Sequence, residues 1–159
     1  MAEDSKRERI IQYWVDKFTA GDTERTARFK TVRRTRPELA EMKNFSGPEL
    51  PVLAIVAKLP KPVEHKKSRS PGGADFFVSI LSIDFIVFAM DNENPDKLVS
   101  DLADDLWVTI YSDPTTGSGN DALTAGVSVS PEPMVGQWPP LLAFKMIADF
   151  SYYHTTGGI

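Results

Sequence analysis

Few residues of this chain have the type and spacing to do chemistry, and none of the groups completes a known pattern. His65 and His154 are the two histidines. Either could act as a base, but nucleophilic catalysis needs the base held against a nucleophile. One falls in a Pro/Gly-rich stretch and the other close to the last residues. Gly117-Ser118-Gly119 lacks the Gly-x-Ser-x-Gly frame of a nucleophile elbow. No Gly-Lys-Ser/Thr follows it, so it is not a phosphate loop either. Asp91, Glu93 and Asp96 start like a calcium loop, but position five is Pro95 and position twelve is Leu102 where Glu is needed. Capping of a following helix accounts for these acids. Asp101, Asp104 and Asp105 share helical spacing without a histidine and read as a solvated helix face rather than a metal site. The basic group His65, Lys66, Lys67 and Arg69 could touch phosphates. No aromatic residue interleaves it, and a few phosphate contacts give only weak, salt-sensitive binding. No base, nucleophile and oxyanion donor come together, so the reading is a non-enzymatic protein with no metal and no cofactor.

The elements that carry these residues follow from periodicity. Ser5 and Glu8 have capping-box spacing, Ile10, Ile11, Trp14, Val15 and Phe18 form one helical stripe, and Gly21 is a stop. Arg28–Arg36 reads as a strand with a basic face, Leu39–Phe45 as a short helix or turn, and Val52–Leu59 as a central apolar strand. Pro60–Asp75 reads as a long basic loop because Pro60, Pro62, Pro71, Gly72 and Gly73 oppose regular structure. Phe76–Met90 is the strongest strand signal, apolar on both faces. Fully extended it would span about 50 Å, long against a radius of gyration of about 15 Å for a domain of this size. The helices can cover one of its faces. The other, carrying Asp84, Ile86 and Phe88, is expected to need another chain. Asn94-Pro95-Asp96 opens a second helix, with Leu98, Leu102 and Leu106 on one stripe, ending near Ser112-Asp113-Pro114. Leu123–Ser130 and Leu141–Tyr153 read as the last strands, separated by the proline-rich Pro131–Pro140, and residues 154–159 as a flexible tail. The expected fold is α+β in a single domain over 1–159. It is a mostly antiparallel sheet with two main helices on one face, in the order α-β-β-β-α-β-β.

Composition bounds the function. The 159 residues include no cysteine, which excludes disulfides, a cysteine nucleophile and thiolate metal sites. The net charge of −4 argues against a specific nucleic-acid binder, and no apolar stretch is long enough for a membrane helix or signal segment. The charge is unevenly placed. Residues 1–70 hold 16 Lys/Arg against 10 Asp/Glu, a net of +6, and residues 71–159 hold 2 against 12, a net of −10. Such a split suits head-to-tail packing of copies. Arg28, Lys30, Arg33, Arg34 and Arg36 are the candidate basic side, and Asp101, Asp104 and Asp105 the candidate acidic side.

The helix–strand–strand opening, the Pro51-Val52-Leu53-Ala54-Ile55 strand, the loop, the long apolar strand and the acidic amphipathic helix together resemble the tail terminator proteins of tailed bacteriophages. So does the alternating run Leu142–Thr155 with its Ser151-Tyr152-Tyr153-His154-Thr155 ending. The pattern is architectural and covers roughly residues 5–155. The resemblance implies a sheet flanked by helices and a ring, commonly hexameric, seated on the last ring of the tail tube. It implies that the ring stops tube polymerisation and joins the tail to the head connector. The expected partners are then other copies of the chain, the tail tube protein and the head–neck connector. The expected location is the virion, with the host cytoplasm before assembly. It implies no catalytic residues. The proline-rich Pro131–Pro140 and the length of the 60–75 loop depart from the family pattern. The alternatives are another neck or head-completion protein, or a small non-catalytic protein-binding module.

Overall fold

The structure, a computed structural model, describes residues 5–35, 50–59, 61–66, 76–91, 93–113, 116, 124–135 and 141–155. The first helix, α1 (Lys6–Ala20), begins where Ser5 accepts a hydrogen bond from the Glu8 amide and ends at Gly21, whose φ of 61° is the left-handed conformation glycine tolerates best. A single turn, α2 (Glu24–Ala27), follows. Thr23 and Thr26 cap it reciprocally: each side-chain oxygen accepts from the other's backbone amide. This turn ends where the expected 28–36 strand was to begin. Arg28 becomes the cap of α2, and the strand itself shrinks to β1 (Thr31–Arg33).

The chain continues through β2 (Val52–Ala57), β3 (Lys61–Lys66), β4 (Phe76–Met90), α3 (Pro95–Ser112), β5 (Thr124–Val135) and β6 (Leu141–Thr155). Among the described residues these strands form one six-stranded sheet in the order β1-β2-β4-β6-β5, with β3 also on β4. All pairings are antiparallel except β1 with β2. The fold is therefore α+β with a mostly antiparallel sheet and two main helices on one face, as the periodicity predicts.

Three expected boundaries are corrected. The 60–75 loop contains a strand, because β2 and β3 run in tandem along one edge of β4. β2 pairs with Ile83–Phe88 and β3 with Phe76–Ile80, and the Lys58 amide donates to the Ser82 carbonyl between them (3.0 Å). β3 tolerates Pro62 because among the described residues it pairs on one side only and its register shifts between Pro62 and Glu64. For the same reason β5 continues through Pro131 and Pro133, with a shift between Ser128 and Glu132, where a separator was expected. The expected tail from residue 154 yields to β6, which extends to Thr155. The Leu39–Phe45 expectation lies outside the described residues.

The long β4 is stabilised along its whole length by β6, with pairs from Phe76↔Thr155 to Met90↔Leu141. Its two faces are covered differently. Leu81, Ile83, Phe85 and Val87 join Leu53, Ile55, Phe144, Met146, Ala148 and Phe150 beneath α1 and α3. Trp14 sits at the centre of this core, its ring 6.4 Å from Phe85 and 5.6 Å from Phe150. On the opposite face Ile86 and Phe88 cluster with Leu50, Val52, Ala54 and Ala143.

Candidate functional site

The second face of β4 was the expected contact with another chain, and it is closed within this one. Ile86 and Phe88 are 3% and 2% exposed, and Asp84 is also buried. β2 and β6 place Val52, Ala54 and Ala143 beside the two large side chains on the same face, and the folded chain leaves both almost no exposure. Toward the middle of β4 this face turns polar. The Lys58 ammonium lies 3.6 Å from the Asp84 carboxylate, and the Ser82 hydroxyl donates to Asp149 (2.5 Å).

The charged candidates are also partly neutralised internally. Asp105, expected on a solvated face, is buried between α2 and α3. Its carboxylate accepts from Arg28 Nη1 at 2.9 Å and from Arg25 Nη1 at 3.4 Å. Burial pushes its carboxyl above the usual Asp value, while the two guanidinium groups pull it down. The helix turn made by Thr23 and Thr26 is what aims both arginines at α3. Arg34 makes a two-pronged pair with Glu8 of α1, which holds the Glu8 carboxyl below its usual value. Asp101 accepts from Lys97 at 2.8 Å, one helical turn away. Arg33 donates to the Thr35 hydroxyl (3.2 Å). Lys30 and Asp104 remain exposed on the surface.

Around Asp105 the α2–α3 junction opens into a cleft of about 560 Å³, lined by Lys17, Arg25, Arg28, Asp104, Val108 and Ser112 among others. Nearby, Tyr13 donates to Asp113, and Lys17 donates to the Tyr13 hydroxyl at 3.3 Å. Burial and the adjacent Asp113 carboxylate push the Tyr13 phenol well above its usual range. Asp101, Asp105 and Asp113 are each paired with a cation, and no nucleophile stands against a free base among the described residues. There, too, no three His, Asp or Glu side chains converge as a metal site. The cleft is chemically a set of ion pairs that fastens α1, α2 and α3 together.

The two histidines share a rung of the sheet, since Phe77 of β4 pairs with His65 on one side and His154 on the other. Lys66 follows on β3, opposite Phe76. Arg36, Lys67, Arg69 and Gly117-Ser118-Gly119 lie outside the described residues.

Sequence reasoning missed the outward face of α3. Trp107, Val108 and Tyr111 are exposed there, on the side away from Leu102, Leu106 and Ile110. The available signal was large apolar residues one and two turns from Asp104, on what should be the polar stripe.

No protein-family model matches the chain, and the curated proteins contain no match to it. No helix of the described residues is long and apolar enough to cross a membrane.

Proposed function

We propose that this chain is a non-catalytic assembly protein of the phage tail terminator type. In this reading it forms a ring at the head-proximal end of a tail tube, stops tube growth and presents the surface for joining the head. The observation that carries the reading is architectural. The resemblance implies a sheet flanked by helices, and the chain has one mostly antiparallel sheet with its two main helices on one face. The chemistry of the surface agrees with this. The charged cleft is occupied by its own ion pairs, whereas three of the exposed apolar side chains, Trp107, Val108 and Tyr111, share one helix.

Closing the second apolar face changes how assembly must work. Ile86 and Phe88 support the monomer, so copies meet through side chains that are exposed in the single chain. The test is the mass of the purified protein in solution together with electron microscopy. A closed ring of uniform subunit number supports the reading. A chain that stays monomeric at high concentration overturns it and leaves a small binding module.

A further inference from the structure

The two sides of the sheet each present an open edge, and backbone N–H and C=O groups on such edges template further pairing. Among the described residues β3 pairs only with β4, β5 pairs only with β6, and β1 covers β2 only at Val52, Leu53 and Ala54. Residues 55–57 of β2 and Lys61–Lys66 of β3 therefore form one composite edge. It runs along the same side of β4, from the position of Phe85 to that of Phe76. β5 is the edge on the other side of β4. Carried across β6, it spans the positions of β4 from Ile80, through Thr124 and Ser151, to Ala89, through Val135 and Leu142. Each edge thus covers ten positions of β4, and the two are offset by four.

Their directions and irregularities also match. β3 and β6 run opposite to β4, and β5 runs opposite to β6, so β5 and β3 are antiparallel to each other. A second copy in the same orientation sets its β3 beside β5 as the next antiparallel strand, with the helices on the same face. With the four-position offset, residues 124–128 lie along β3, and Met134 and Val135 come opposite Val56 and Ile55. β5 then ends where β1 begins. The irregular stretch between Ser128 and Glu132 meets the junction of β2 and β3, where the Lys58 amide bonds to the Ser82 carbonyl. An even offset keeps every residue on its proper face of the sheet. Pro62 and Pro133 remove at most one donor each and keep their carbonyls. Glu132 comes opposite Lys58, and β5 carries no Lys or Arg, whereas the facing edge adds Lys61 and Lys66 beside one acid, Glu64. That charge difference favours this pairing over β5 with β5 or β3 with β3. Four residues are about 13 Å along a strand and four strands about 19 Å across, a tilt of about 35°, which is what a sheet needs to close on itself.

We propose that β5 of one copy pairs with the β3–β2 edge of a second copy of this chain, continuing one antiparallel sheet from subunit to subunit. The proposal rests on the self-assembly reading above and names its interface. Because the chain has no cysteine, introduced cysteines report the register. Ser128 stands directly opposite Lys61 of the neighbouring copy, with Cα atoms about 4.5–5.5 Å apart, within disulfide reach. Inside one chain β4 and β6 separate these positions by roughly 14 Å, too far to bridge. After mild oxidation, the Lys61→Cys, Ser128→Cys variant should give a ladder of covalent multimers on a non-reducing denaturing gel. The Lys66→Cys, Ser128→Cys variant, about 13 Å out of register, should stay monomeric on that gel. Sedimentation velocity of the unmodified chain reads assembly separately. If the unmodified chain assembles and the first variant gives no ladder, or both variants give equal ladders, this interface is wrong and the ring reading stands. If the unmodified chain never assembles, the self-assembly reading falls, and this interface with it.

Discussion

Replacing Arg28 with Met should expose the ion-pair clamp between α2 and α3. Asp105 has a side chain only 3% exposed, and Arg28 provides its closest cation at 2.9 Å, with Arg25 second at 3.4 Å. Removing one partner of a fully buried pair costs about 3–5 kcal/mol, because the remaining charge is left desolvated. That figure must be reduced here. The arginine side chains are 44% and 46% exposed, Arg25 stays in place, and the cleft lets solvent reach the vacated position. An expected loss of about 1–2 kcal/mol follows, or about 3–6 °C in midpoint for a chain of this size. Met keeps the apolar stem of Arg without its guanidinium, so packing of the stem changes little. The pH dependence tests the cause. Asp105 already has a raised carboxyl, so its titration contributes stability that is present below the usual Asp value and fades as pH rises through the folded value. Taking Arg28 away raises the carboxyl further, so the variant should lose more than the unmodified chain between about pH 4 and 7. Urea unfolding at both pH values measures this, and Asp105→Asn in the Arg28→Met background should recover most of the loss at pH 7. An equal loss at both pH values, or no recovery with Asn, would refute the electrostatic reasoning and leave only packing.

Ile86→Lys should unfold the isolated chain rather than dissociate an assembly, because it buries an ammonium among Val52, Ala54 and Phe88; circular dichroism of dilute protein reads this directly. Glu8→Gln should cost about 0–1 kcal/mol, since its pair with Arg34 is partly exposed. The lowered Glu8 carboxyl means that this stability is present above its ordinary value of 4.5 and is lost as pH falls through the folded value, so the variant and the unmodified chain should converge in acid. Tyr13→Phe should cost about 1 kcal/mol through loss of the bond to Asp113. It should also remove one late-ionising phenol from an ultraviolet titration.

Helices α1 and α3 were legible because their stripes and caps agree. Ser5 and Gly21 bound the first, and Pro95 opens the second ahead of Leu98, Leu102 and Leu106. The strands β4 and β6 were legible as long apolar or alternating runs. What stayed hidden depends on neighbours. Pro62, Pro131 and Pro133 read locally as breakers, yet among the described residues β3 and β5 each pair on one side and shift register near them. α2 was missed because its reciprocal cap uses Thr26 where the usual pattern has Glu or Gln. Asp105 lies at the border of the polar and apolar stripes of α3, so helical spacing alone could not say that Arg25 and Arg28 would cover it. The same limit governed Ile86 and Phe88. An apolar strand face looks identical in sequence whether its own chain or another covers it, and only the exposure in the folded chain separates the two.

The central claim is that this chain terminates a tube, and the direct measurement is the length distribution of tail tubes polymerised with and without it, by electron microscopy. The account predicts tubes of limited length carrying a ring at one end when the chain is present, and overlong tubes without it. Tubes of the same length with no ring at either end, in the presence of assembled protein, would contradict it.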